Sequence, residues 1–189
     1  MKFVVICFSM FSAFSYSDVI LREHFEHYII APERVEQIKF ELRAHSPVSR
    51  KNQVFHGGTE WTLVPDFRWK QIGNLCKIQD VRVTLDGIYT LPKLKNDLVV
   101  GADIKKRFEQ YYEALLEHEK GHQDLWLSAG QEIETLLKNF EPFYSCAELA
   151  KQAKIRVGQV IHDYQQHNRN YDKQTCMAKP KVLQSNNLI

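Results

Sequence analysis

Apolar positions recur with a period of two in the first half of the chain and with a helical period in the second. Residues 18–30 carry Phe25, Tyr28, Ile29 and Ile30 and predict a strand. Pro32 stands where a first helical turn tolerates it, and Val35, Ile38 and Leu42 follow at helical spacing until Pro47 closes the segment. His56-Gly57-Gly58 marks a turn. Trp61, Leu63, Phe67 and Trp69 then alternate with other residues, the pattern of a strand whose apolar face packs into a core. Pro65 within it predicts an edge position or a bulge. Gly73-Asn74 turns the chain, and Cys76, Ile78, Val81, Val83 and Leu85 form the return strand, with a change of phase near Asp80 that predicts a bulge. Leu91-Pro92 is expected to end it, and residues 93–101 read as a loop.

From about Asp103 to Phe140 one helical pattern runs without proline, and a second helix is predicted from about Cys146 to Tyr171. This order predicts an α+β fold, with a small antiparallel sheet packed against a long helix and a second C-terminal helix. The 189 residues suit one domain, expected over 18–178 and followed by a tail at 179–189.

The first residues read differently. Met1-Lys2 precedes an apolar run from Phe3 to Phe14, and Ser15 and Ser17 place small residues before a cut at Asp18. This is the pattern of a signal peptide over 1–17, too short to span a bilayer, which takes roughly 20 apolar residues. No later segment reaches that length, so the expected location is periplasmic or secreted, without stable membrane insertion after the signal is removed. An oxidising compartment favours cysteine pairing. Cys76, Cys146 and Cys176 remain after the cut. The expected pair is Cys76 with Cys146, leaving Cys176 in the polar C-terminal region unpaired.

Charge narrows the partners. Lys plus Arg number 25 and Asp plus Glu 23, a net +2, which supplies no broad cationic surface for nucleic acid.

The chemistry lies in the long helix, in His118-Glu119-Lys120-Gly121-His122. Two histidines four apart project from one helix face and can converge on Zn²⁺, while the adjacent glutamate is placed to act as a general base toward water. With Leu125 at zero and about 100° per residue, Phe108, Tyr111, Trp126, Ala129 and Ile133 share an arc of about 100°. On that step His118 falls near about 20°, His122 near about 60° and Glu119 near about 120°, just past the edge of the arc. Imidazoles on a core-facing side need partners, and a shared metal satisfies both. Gly121 costs a helix about 1 kcal/mol against Ala and lets another group approach closely.

The third ligand is less direct. A metzincin extension would need Gly at Leu125 and His at Ser128, so that class is excluded; Glu132 and Glu134 share the helix and cannot bend back. On the last helix, with Leu149 at zero, Ala153, Val157, Val160 and Tyr164 share a face that also carries His167 near about 0° and Tyr171 near about 40°. His167, Tyr171 and Asp172 can meet the His118/His122 face if the two helices pack antiparallel.

These motifs resemble the bacterial predicted secreted zinc-dependent proteases catalogued as domain of unknown function 922. The resemblance runs over nearly all of the chain after the signal. It covers the Tyr28 strand, Gly58-Thr59-x-Trp61, Cys76, Val81-x-Val83-x-Leu85, Leu91-Pro92, His118-Glu119-x-Gly121-His122, Cys146 and Tyr171-Asp172-x-x-Thr175. It implies a bacterial zinc hydrolase outside the cytoplasm and the Cys76–Cys146 bond. Two residues after the motif threonine the family pattern has His then Gly, where this chain has Met177 then Ala178. A thioether is a poor zinc ligand. His167 is favoured by helix face and Asp172 by the motif, with Cys176 as the next candidate. The expected function is an exported metallopeptidase acting on a peptide or protein, with Zn²⁺ on His118, His122 and a third group, Glu119 as general base and Tyr171 as an oxyanion donor. The alternative is a non-catalytic module that keeps zinc as a structural staple.

Overall fold

The computed structural model describes residues 19–50, 52–96 and 100–177, with Cys176 and Met177 described by their backbone alone. The expected signal segment at 1–17 and the expected tail at 179–189 lie outside the described residues, as do the side chains of Cys176 and Met177. The class is α+β as expected, and the sheet is mixed rather than antiparallel throughout. Its strands are β1 (Val19–Ile30), β4 (Gly58–Ile72) and β5 (Leu75–Leu94), in the order β1-β5-β4.

The β4–β5 hairpin follows from the Gly73-Asn74 turn, where Gly73 takes a φ of +60°, a left-handed angle that a side chain would strain. The shift of register lies between Arg68 and Trp69: Arg68 faces Asp80 and Trp69 faces Ile78, so Gln79 is the extra residue. The change of phase near Asp80 is thus a bulge. Trp69, expected in the core, is 46% exposed beyond this bulge, while Trp61 and Phe67 pack inward. Pro65 sits in an edge strand, as its missing N–H requires.

The strand β1 runs parallel to β5, pairing Val19 with Val83 and Ile30 with Leu94. It ends at the same end of the sheet as β4 begins, on the other side of β5, and the segment between them crosses that end. The crossover carries a short 3-10 turn (Val35–Gln37), α1 (Ile38–His45) and a small hairpin of β2 (Ser49–Arg50) and β3 (Gln53–Val54). Pro92 does not end β5. The pairing with β4 stops at Gly58–Thr90, so beyond it the strand has β1 alone as neighbour and tolerates a proline.

One face of the sheet carries α2 (Ala102–Lys138), and α3 (Cys146–Met177) returns along α2. At about 1.5 Å per residue the 37 residues of α2 span about 55 Å. That length serves separate apolar clusters, one of which packs Trp126 and Ala129 against Leu85. Near its start Ile104, Phe108 and Tyr111 pack with Tyr28, Ile30, Ile38 and Leu42. Near its end Ile133 and Leu137 pack with Val83, Ala153, Val157 and Val160. Fully burying one such aliphatic side chain contributes about 1.5–3 kcal/mol. The His118–His122 stretch lies between the two, where side chains of α3 rather than a continuous apolar core meet it.

Cys76 and Cys146 are bonded, with Cα atoms 5.2 Å apart. The bond fastens the start of α3 to the start of β5, where Cys76 also exchanges two backbone hydrogen bonds with Phe143. No helix among the described residues is long and apolar enough to cross a membrane.

Candidate metal centre

The helical spacing of His118 and His122 turns both imidazoles to one side of α2, and α3 brings Asp172 against them. The Nε2 atoms of the two histidines are 3.3 Å apart. Asp172 Oδ1 lies 3.0 Å from His122 Nε2 and 3.5 Å from His118 Nε2. Three ligands at about 2.0–2.1 Å on a tetrahedral ion stand about 3.3 Å from one another, so this triangle matches one face of such a coordination shell. The donor set, two imidazole nitrogens and a carboxylate oxygen, can hold a metal ion.

The residues that touch these ligands support that use. His122 Nδ1 lies 2.7 Å from Asn168 Oδ1, so Nδ1 carries a proton as donor and Nε2 is turned toward the cluster. Burial opposes a charge on His122, yet its hydrogen bonds to Asp172 and Asn168 outweigh this and raise its pKa above the ordinary 6.5. For Asp172 burial works upward, and hydrogen bonds from His118 and His122 overcome it and hold the carboxyl well below the usual carboxylate range. Asp172 Oδ2 is also 3.8 Å from Arg50 Nη1 on β2.

Glu119 stands outside the triangle. It is 3% exposed, and its Oε2 accepts a 2.6 Å hydrogen bond from Thr59 Oγ1 on β4. The helical step had placed it past the apolar edge. Both the sheet and α3 cover α2, so the buried arc is wider than the apolar stripe. Tyr171 lies over Gly121: a Cβ there would come within 2.0 Å of the tyrosine hydroxyl. Its ring stacks on His118 at 5.3 Å and meets His122 edge-on at 5.0 Å. Burial, then the carboxylates Glu117 and Glu119, raise the Tyr171 pKa, so its hydroxyl keeps its proton. A cleft of about 570 Å³ opens beside His118, Glu119 and Tyr171.

The family model described as "Bacterial protein of unknown function (DUF922)" matches residues 25–178. The chain belongs to this family. The match takes in the second half of β1, all of β4 and β5, both long helices and every residue of the cluster. No curated protein and no solved structure matches the chain.

Of the residues singled out in this DUF922 chain, the fold gathers His118, His122, Asp172, Glu119 and Tyr171. His167 is left out: it is exposed, with its ring against Tyr164 at 5.4 Å. The reason is the pitch of the contact. Leu149, Ala153, Val157, Val160, Tyr164, Asn168, Tyr171 and Thr175 are the inward positions of α3, spaced four, four, three. That repeat of eleven drifts about 20° per eleven residues against an ideal helix, and it turns the contact line toward Asn168 and Asp172. Sequence reasoning missed Asn168 and Thr59, both neutral partners. Their signal was position: Asn168 precedes Asp172 by one helical turn, and Thr59 belongs to the Gly58-Thr59-x-Trp61 motif.

Proposed function

We propose that this DUF922 chain is an exported zinc-dependent hydrolase of peptide bonds. The observation that carries the reading is a division of labour: His118, His122 and Asp172 form an open triangle, while Glu119, held by Thr59, lines the adjoining cleft outside it. A structural zinc takes four protein ligands, whereas a hydrolytic one leaves a position for water. Among the described residues the cluster supplies three.

Bound zinc supplies Lewis acidity, which brings the pKa of water toward about 7 and polarises a carbonyl. Asn168 fixes the tautomer of His122, and Asp172 supplies a carboxylate that stays ionised. Glu119, oriented by Thr59, accepts a proton from the attacking water and returns it to the leaving amine. Tyr171 retains its O–H and donates to the oxygen on which negative charge develops. The Cys76–Cys146 bond and the leader pattern at 1–17 support action outside the cytoplasm.

The test is a pair of measurements on purified protein. Wild type is expected to carry one zinc and to cleave peptides; His118→Ala and His122→Ala lose the metal. Glu119→Gln is expected to keep the zinc and lose about 10²–10⁴-fold in hydrolysis, because an amide accepts no proton. A Glu119→Gln protein as active as wild type, or a zinc-loaded wild type inert toward a broad peptide library, overturns the reading.

A further inference from the structure

The cleft beside the cluster has a composition of its own. Val54 and Phe55 form one wall, Tyr111, Ala114 and Leu115 of α2 another, and Tyr171 closes it near the metal ligands. Leu115 and Tyr111 precede His118 by three and seven residues, so they share its helix face. The cleft therefore runs from the histidine pair toward the start of α2. At the Tyr111 end stands His56, whose Nδ1 lies 2.6 Å from the Tyr111 hydroxyl. The backbone at Gly57 lies against Leu115, since a Cβ there would be 3.0 Å from Leu115 Cδ2. Among the described residues the carboxylates on its lining are Glu117 and Glu119, and neither Lys nor Arg lines it.

We propose that this cleft is a subsite for a large apolar side chain of the substrate, next to the bond cleaved, and that it disfavours acidic side chains. The inference rests on the peptidase reading for what that side chain belongs to. Three observations support it. The greater part of the wall surface is apolar, which repays desolvation of a phenyl or isobutyl group. The volume of about 570 Å³ accommodates the largest side chains. The carboxylates Glu117 and Glu119, with no Lys or Arg on the lining among the described residues, repel an acidic group.

Two readouts separate this proposal from the reading it rests on. Zinc-loaded full-length protein is first assayed on a peptide series that varies only the residues flanking the scissile bond: Phe, Leu, Ala, Lys and Glu. It is then titrated with N-acetyl-phenylalaninamide, N-acetyl-alaninamide and N-acetyl-glutamic acid amide while NMR shifts are followed. Phe and Leu peptides are expected to exceed Ala at one flanking position by at least about tenfold in kcat/KM, with Glu poorest. Ala114→Phe, which fills the cleft, is expected to keep its zinc and to abolish that preference. Cleavage without side-chain preference, or with a preference for Glu, overturns the subsite and leaves the peptidase standing. Binding of the phenylalanine amide that Ala114→Phe abolishes, without cleavage of any peptide, supports the subsite and removes the peptidase. Neither cleavage nor selective binding overturns both. The wild-type preference decides the matter even if Ala114→Phe does not fold.

Discussion

Gly121→Ala isolates the contact that holds the C-terminal helix against the cluster. By helix propensity alone the change stabilises by about 1 kcal/mol. The site opposes it. The new methyl would lie 2.0 Å from the Tyr171 hydroxyl oxygen, 2.4 Å from Cζ and 3.0 Å from Cε1. The ring has little room to retreat, since it is stacked on His118 and edge-on to His122. Overpacking of this kind costs about 1–3 kcal/mol, so the net effect is between neutral and about 2 kcal/mol destabilising. Zinc affinity is more exposed to the change, because Asp172 follows Tyr171 directly and Asn168 lies one turn before it. Misplacing partners of this kind typically costs about 10–100-fold. The assay is urea unfolding of metal-free protein together with a zinc competition titration. It compares wild type, Gly121→Ala, Tyr171→Ala and the double variant. In the Tyr171→Ala background the alanine is expected to stabilise by about 1 kcal/mol, since the obstacle is gone. If Gly121→Ala stabilises the wild-type protein by that amount and leaves zinc affinity unchanged, the close approach of Tyr171 is refuted.

Two further outcomes follow from the structure. The Cys76–Cys146 bond joins positions 70 residues apart, and loop-closure estimates give it about 4 kcal/mol. Reduction is expected to lower the melting temperature, and a free thiol at either residue, found by mass spectrometry, contradicts the bond. His56 is shifted below its ordinary 6.5 by burial first, then by Arg43 and Lys39. A depressed histidine stabilises above its unfolded pKa, and that contribution is lost as pH falls through the folded value. Metal-free wild type is therefore expected to lose more stability than His56→Asn between pH 7 and pH 5. Equal slopes of melting temperature against pH contradict the assignment.

Much of the architecture was legible because local chemistry dictates it. A long proline-free helical period gave α2 and placed His118 and His122 on one face, and Gly73-Asn74 with alternating neighbours gave the β4–β5 hairpin. The bulge announced itself as a break in alternation near Asp80. Strand direction did not. Whether β1 runs parallel to β5 depends on where the crossover lands, which no local pattern encodes. Pro92 misled for a similar reason: a proline's effect depends on which neighbours a strand has, and at that point β5 has one. The site divided along the same line. His118, Glu119 and His122 are fixed by spacing within one helix. The choice between His167 and Asp172 depends on a helix–helix contact whose pitch departs slightly from ideal, and over the length of α3 that small drift brings Asn168 and Asp172 to the histidines. Thr59 reaches Glu119 from another element altogether, 60 positions away.

X-ray absorption at the zinc edge of the wild-type protein tests the central claim most directly, because it reads the ligand atoms themselves. Two imidazoles, the Asp172 carboxylate and one water are expected to give four nitrogen and oxygen neighbours at about 2.0–2.1 Å, with the outer-shell scattering of two histidine rings. Asp172→Ala is expected to remove or weaken the metal, while His167→Ala leaves the spectrum unchanged. A sulfur shell at about 2.3 Å would instead place the Cys176 thiolate on the zinc. That result, or a spectrum that changes with His167 and not with Asp172, would contradict the account.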